Sequence, residues 1–226
     1  MINKEIYEEM KKRGISRLCH FTKSKNFAHI INDFNGIIAT DKLPEGYKDI
    51  NDINRFDKKT DYVCCSVQYP NIYYLDRIKE NDILFKDWII LCININAILE
   101  SEILISKVNA ATECGKYIKS GIQAFNEIFD NSIITSKRTI QRPFTMPNNC
   151  STDIQAEILV KNTIDKKYIE SIIVPNEIQA KEEFIRMDIC GISGIDIIVS
   201  EEMFNKSLAN SLKYGQLPKE VKYLKV

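Results

Sequence analysis

His20, Arg55 and Glu157 are the side chains whose type and setting could carry chemistry, and they lie far apart along the 226-residue chain. His20 stands in Leu18-Cys-His-Phe-Thr22, at the end of a short strand candidate. An imidazole followed two residues later by a hydroxyl puts two polar groups on one face of an extended chain, a pair suited to holding an amide or ribose hydroxyls. A lone histidine is more often structural. The second histidine, His29, reads as a surface or packing residue. Arg55 lies in Asn54-Arg-Phe-Asp57, where a neighbouring aspartate would hold a planar guanidinium ready for a diphosphate or carboxylate. Most loop arginines are simply solvated, and taken alone Arg55 reads as one of them. Glu157 is set among core-like residues in Gln155-Ala-Glu-Ile-Leu-Val160. Burying a carboxylate unpaired is costly, so it faces an edge or a cleft. Strand alternation predicts Gln155 and Glu157 on one face, an amide beside a carboxylate, which suits an oxocarbenium-like centre and a sugar hydroxyl. A half-exposed edge-strand glutamate is the competing reading.

Directly before Glu157, the stretch from Asn131 to Thr152 contains Lys137, Arg138 and Arg142, no acidic residue, and Phe144. Cations with an interleaved aromatic are what a nucleic-acid strand needs for phosphate contact and base stacking, although a solvated loop has the same composition. The chain balances 31 Lys and Arg against 31 Asp and Glu, so any polyanion site is a local patch. There is no GxSxG, HExxH or paired Cys/His spacing, which leaves hydrolase and metal-centre readings unsupported. Nor is there a GxGxxG, so a dinucleotide site must use an architecture other than the Rossmann fold.

The elements that must position these residues are short and irregularly ordered. A helix is predicted over residues 3–13, with Ile6 and Met10 inward and Gly14 as its stop. Arg17–Phe21 reads as a strand, Thr22 as the cap of a helix running through Phe27, Ile30 and Ile31, and Gly36–Ile38 as a return strand. Residues 40–61 form a long irregular loop, of the kind that is usually functional. Tyr62–Val67 and Asp87–Ile95 are strands, the latter central, with a short helix or turn from Tyr69 to Tyr74 between them. Glu113–Phe129 reads as a helix and Asn131–Thr152 as a second irregular stretch. Strands at 155–160 and 169–174, a helix from Glu177 to about Met187, a strand at 196–199 and a final helix complete the chain. Strands mixed irregularly with helices predict an α+β fold rather than a doubly wound sheet.

Hydrophobic residues make up 44% and charged residues 27%, ordinary for one globular domain of this length. The seven cysteines are scattered without CxxC spacing and read as reduced, mostly buried thiols. The charged first turns are unlike a secretory signal and no apolar run approaches membrane-spanning length, so the expectation is a cytoplasmic protein without a membrane partner.

Several blocks occur together in a specific order: His20-Phe-Thr22, Asn26, Gly36-Ile-Ile38, Arg55-Phe-Asp57, Tyr62–Ser66, Tyr69-Pro-Asn-Ile-Tyr73, Asp87-Trp-Ile-Ile-Leu91, Asn109-Ala-Ala111 and Gln155–Val160. Across residues 17 to 175 this set resembles the DarT family of NAD-dependent nucleic-acid ADP-ribosyltransferases. The resemblance implies a mixed short-strand sheet flanked by helices in a single domain over 1–226, residues 176–226 completing that domain. It implies NAD as donor, no metal, and transfer of ADP-ribose to a nucleobase in single-stranded DNA by a toxin or phage-defence enzyme. Glu157 and Arg55 would be catalytic. His20, Phe21, Thr22, Asn26, Arg55 and Tyr73 would hold NAD, and Lys137, Arg138, Arg142, Phe144 and Gln155 would meet the acceptor strand. The acceptor base must be unstacked to reach the anomeric carbon. A separate antitoxin with a macrodomain hydrolase is the implied partner. The loop after Gly36 is shorter than the family's usual one, and from Gly194 onward no family block is found. A transferase acting on RNA or protein, or a catalytically silent NAD- or nucleic-acid-binding module, are the competing readings.

Overall fold

A computed structural model describes residues 3–47, 56–82 and 84–224. The chain opens with helix α1 (Lys4–Lys12), which buries Ile6 and Met10 and stops at Gly14. Strand β1 (Arg17–Lys23) follows, then β2 (Gly36–Ile38), β3 (Tyr62–Val67), α2 (Ile72–Asn81) and β4 (Trp88–Asn94). The middle of the chain carries β5 (Ile103–Ser106), β6 (Ile118–Lys119), α3 (Gly121–Glu127), β7 (Ser132–Ile134) and β8 (Thr139–Gln141). The last part has β9 (Glu157–Lys161), β10 (Thr163–Asp165), β11 (Ile169–Val174), α4 (Glu177–Ile189), β12 (Asp196–Val199), α5 (Leu208–Lys213) and β13 (Val221–Lys222).

Nine strands form one mixed sheet in the order β13-β12-β11-β4-β1-β3-β9-β5-β6, the α+β architecture expected from the sequence. The unbroken apolar run Trp88–Ile93 is buried on both faces of the sheet, which is what fixes β4 inside it. On one face Leu18, Leu91, Ile158 and Ile172 pack with Met10, Phe125 and Ala180 from α1, α3 and α4. On the other, Cys19, Trp88, Ile90 and Ile173 pack with Ile72 and Leu75 of α2 and Leu208 and Leu212 of α5. The C-terminal strands β12 and β13 extend the same sheet, and Arg17 of β1 grips Glu220 with two bonds of 2.6 and 2.8 Å.

Several local expectations are corrected. β1 runs on through Thr22 to Lys23, because Phe21, Thr22 and Lys23 pair with Ile90, Ile89 and Trp88. Thr22 is therefore a strand residue rather than a cap, and a 3-10 turn (Ser24–Asn26) and a π-helical turn (His29–Asp33) replace the helix. β2 pairs with β10 instead of returning to β1. The segment after Tyr69 becomes a full helix, α2, whose first turn is capped by the Asn71 side chain accepting the Tyr74 N–H at 3.2 Å. The long helix expected over 113–129 is broken, because Glu113, Cys114 and Gly115 all take positive φ; only Gly121–Glu127 is helical. The irregular stretch before Glu157 contains the β7–β8 hairpin, with Ile133 buried and Ile134 exposed.

Four of the cysteines, 19, 65, 92 and 150, are buried and Cys114 is exposed. Among the described residues no helix is long and apolar enough to cross a membrane.

Candidate active site

The site begins where the sheet comes apart. β1 pairs with β4 over seven residues and β3 with β9 over five, but β1 and β3 share only the register Leu18↔Val67 and Cys19↔Ser66. Beyond those two pairs the strands separate, and a cavity of about 570 Å³ opens between them. That volume lies within the range of roughly 300–1,000 Å³ usual for small-molecule sites.

His20 occupies the first position past the split. Its Nδ1 bonds the Cys64 carbonyl at 2.9 Å, so a side chain takes the acceptor that a continued ladder would have used. A carbonyl only accepts, so Nδ1 carries the hydrogen and Nε2 is left with a lone pair. Burial pushes the imidazole below its ordinary value of 6.5, partly opposed by the bond to Cys64. The neutral ring is thus an acceptor for a hydroxyl or amide N–H in the cavity it lines. In the unfolded chain the same ring takes up a proton below 6.5, so the unfolded state binds more protons there and acid weakens the fold. Unfolding free energy from denaturant titrations should fall as pH drops from 6.5 through the lowered folded value, and His20→Gln should flatten that part of the profile. Superimposable pH profiles for the two proteins would refute the assignment.

Thr22, also past the split, accepts a bond from the Asn26 amide at 3.1 Å, and both line the cavity. Phe21 lines it too and tilts against Tyr74, ring centroids 5.8 Å apart. The π-helical turn brings His29 to the cavity wall, with Phe34 just after it and Tyr47 set edge-on to both rings at 5.0 Å. π-helical turns recur at functional sites because the wider turn re-aims its side chains.

Glu157 is the first residue of β9 and stands in register between Ser66 of β3 and Ser106 of β5. It is 8% exposed and lines the cavity. One carboxylate oxygen accepts the Ala110 backbone N–H at 2.8 Å and the other the Asn109 side-chain amide at 3.2 Å. Asn109 is itself fixed by accepting the Ala111 N–H at 3.1 Å. A buried carboxylate that accepts two N–H bonds in this way is held in a fixed orientation.

His20, Phe21, Thr22, Asn26 and Glu157 therefore meet in one cavity. Arg55 lies outside the described residues; Asp57, two positions on, is buried and lines the cavity. Tyr73 does not line it. One residue earlier on α2 than Tyr74, it points about 100° away around the helix and faces a second, smaller cleft. Gln155 is not on the strand face of Glu157, because β9 starts at Glu157 and residues 153–156 form a turn closed by Ala156 N–H to Asp153 carbonyl at 2.9 Å. With its amide turned, Gln155 accepts from Arg138 at 2.7 Å, and Arg138 also reaches Asp153 at 2.7 Å. Arg142 is spent inside its own loop, donating to the Pro147 and Cys150 carbonyls at 2.6 and 2.7 Å. Lys137 is exposed in the hairpin turn and Phe144 is completely exposed. Among the described residues no group of three or more His, Cys, Asp or Glu side chains is placed to hold a metal ion.

A family model described as "ssDNA thymidine ADP-ribosyltransferase, DarT" matches residues 19–205. The chain belongs to the DarT family. With that the enzyme class expected from the sequence holds: an ADP-ribosyltransferase of single-stranded DNA. Comparison with the curated proteins returns no match. Among solved structures, the fold is similar to Thermus sp. 2.9 DarT in complex with NAD+, at 14% identity and TM-score 0.62, over 84% of this chain and 98% of that one. The same DarT in complex with ADP-ribosylated ssDNA matches at 12% identity and TM-score 0.62, over 85% of this chain and 97% of that one. Thermosipho africanus DarTG in complex with ADP-ribose matches at 18% identity and TM-score 0.57, over 84% of this chain and 51% of that one.

Within this DarT chain, sequence reasoning missed Asn109 and Ala110 as the residues that hold the Glu157 carboxylate, although Asn109-Ala-Ala111 had stood out as a block. Tyr74 was overlooked for Tyr73, and the ring group of His29, Phe34 and Tyr47 left no periodic signal.

Proposed function

We propose that residues 1–226 act as one catalytic domain that transfers ADP-ribose from NAD to thymidine in single-stranded DNA and releases nicotinamide. The observation that carries this reading is the Glu157 carboxylate, oriented by Asn109 and Ala110, in the wall of the cavity that also receives His20 and Thr22. The residues around that cavity suit the donor. His20 and Thr22, with Asn26 fixing the Thr22 hydroxyl, offer acceptors and donors for the nicotinamide amide and its ribose. Phe21 supplies an apolar wall at that end, and His29, Phe34 and Tyr47 supply stacking rings for the adenosine end. Arg55 is assigned to the diphosphate on its sequence setting, where a bidentate guanidinium outperforms a lysine.

As the bond between the ribose anomeric carbon and nicotinamide breaks, its electron pair leaves with the nicotinamide nitrogen and positive charge gathers on the sugar. A fixed carboxylate at Glu157 stabilises that charge and orients a ribose hydroxyl. The incoming thymine closes the new bond at the same carbon through a ring nitrogen whose N–H bond breaks, the proton passing to solvent. Lys137, Arg138 and Phe144 are assigned to the acceptor strand; Gln155 positions Arg138, and Arg142 acts by bracing the loop. The NAD+ and ADP-ribosylated ssDNA bound by Thermus DarT support both halves of the reaction. On this reading the chain is a cytoplasmic toxin neutralised by a separate macrodomain-type antitoxin; of these, only the toxin role draws support from the similarity to Thermosipho DarTG.

Incubation with adenylate-labelled NAD and a mixed-sequence single-stranded oligonucleotide should place label on the DNA, and mass spectrometry of the digested product should find it on thymidine. Label on RNA alone would replace the acceptor. If NAD stays intact and nothing is labelled, the proposal fails.

A further inference from the structure

We infer that Glu183, buried in α4 and outside the cavity, is a positioning residue for the donor: through Ser24 it fixes the turn that carries the cavity residues Lys25 and Asn26. The inference rests on the assignment of Thr22 and Asn26 to NAD and names what holds them in place. Gln179, Glu183 and Arg186 stand four and then three residues apart, so they form one stripe along α4. That stripe grips the point where the chain leaves the sheet. Gln179 donates to the Trp88 carbonyl at 3.1 Å and Arg186 to the Asp87 carboxylate at 2.7 Å, which ties α4 to the start of β4. Ser24, the first residue after β1, is bound from both elements. Its N–H donates to the Asp87 carbonyl at 2.9 Å, its hydroxyl donates to Glu183 at 2.7 Å, and the same hydroxyl accepts from Arg186 at 3.0 Å. Glu183 also takes bonds from Arg186 at 2.7 Å and Gln179 at 3.4 Å.

Glu183 is 1% exposed and Ser24 6%. Burying a carboxylate is expensive, and an apolar side chain would close this layer at lower cost. What the polar arrangement adds is direction: bonds to both its hydroxyl and its N–H leave Ser24 one place to sit, whereas apolar packing would let a chain leaving a strand slide. The residues next in line use that fixity. Asn26 donates to the Thr22 hydroxyl at 3.1 Å, and Thr22, Lys25 and Asn26 all line the cavity. The same helix braces the following turn as well. The Cys190 carbonyl, directly after the last residue of α4, accepts from the Asn32 amide at 2.9 Å, in the π-helical turn that brings His29 to the cavity. Among the described residues none of α4 lines the cavity, so its influence on the donor passes through these two turns.

The test measures KM and kcat for NAD at saturating single-stranded oligonucleotide, together with Tm. Ser24→Ala cuts the link and leaves Glu183 its bonds from Arg186 and Gln179. KM should rise about fivefold, the worth of one hydrogen bond, with kcat held within about twofold. Glu183→Gln leaves one carbonyl for Ser24 and Arg186 to share, and KM should rise at least as far. Phe184→Ala is the control for stability. It strips packing from Tyr223, about 100° around α4 from Glu183, and should lower Tm while leaving KM unchanged. Asn26→Ala reports on the donor assignment itself and should raise KM. A KM that follows Tm through Ser24→Ala, Glu183→Gln and Phe184→Ala would reduce Glu183 to a structural residue and overturn the inference. An unchanged KM in Ser24→Ala beside a raised one in Asn26→Ala would also overturn it and leave the transferase reading standing. An unchanged KM in both would overturn it together with the assignment of Thr22 and Asn26 to NAD.

Discussion

Glu157→Gln should reduce ADP-ribose transfer to below about 1% of wild type, the loss typical of removing one preorganised electrostatic group, while the protein stays folded. The two effects separate because the Glu157 carboxylate has two jobs on different sides. Toward the protein it accepts the Ala110 N–H at 2.8 Å and the Asn109 amide at 3.2 Å. A glutamine keeps its carbonyl for the backbone donor, which cannot turn, and sets an NH2 against Asn109. Asn109 relieves that clash by turning its amide, at the cost of its bond to the Ala111 N–H. The stability loss is therefore about one hydrogen bond, roughly 1 kcal/mol. Toward the cavity nothing replaces the negative charge. Steady-state transfer and a thermal melt on the same preparation check both halves, and near-normal transfer by the folded variant would remove Glu157 from the chemistry.

Gly36→Ala should have the largest effect on stability, about 3 kcal/mol, or a fall in Tm of about 6–12 °C for a chain of this size. Gly36 has φ +150°, in the region that side-chain-bearing residues avoid, and a Cβ there would lie 2.2 Å from the Ile164 carbonyl oxygen. That oxygen belongs to the β2–β10 ribbon, in which Gly36 pairs with Asp165, so neither partner moves without breaking the pairing. Gly36, Ile37 and Ile38 also line the cavity, which makes the damage reach the site: KM for NAD should rise. Gly14→Ala is the control, since Gly14 has φ +74° with nothing within 4 Å of the added carbon, and its cost is backbone strain alone. Equal melting temperatures for the two variants would show that the ribbon yields.

The parts of the fold set by burial could be read in the chain. Trp88–Ile93 is apolar throughout and lies inside the sheet; Ile169–Val174 is a strand at its read boundaries. The parts set by backbone conformation could not. Nothing in Thr-Glu-Cys-Gly announces that Glu113 and Cys114 take positive φ, since these are poor residues for it and are held there by contacts such as Glu113 to Ser136, 23 residues away. The site divides in the same way. Glu157 and His20 were found because a polar group amid apolar ones is conspicuous. Their partners were not, since the Cys64 carbonyl and the Ala110 N–H are backbone atoms, the same in every sequence. The phase of α2, set by the Asn71 cap, decided between Tyr73 and Tyr74, and a slip of one residue in a helix exchanges one cavity for another.

The short ladder between β1 and β3 has a further meaning. A sheet normally keeps its edges at its two ends, where unpaired backbone invites other chains to add on. Here a pair of edges faces inward, so the backbone along them lines the cavity and is shielded from neighbouring molecules, and the Cys64 carbonyl that a longer ladder would have consumed is bonded by His20 instead. Recognition through main-chain atoms does not depend on which side chains carry them. A binding seam built this way tolerates extensive replacement of its residues, in keeping with a fold shared with Thermus DarT at 14% identity.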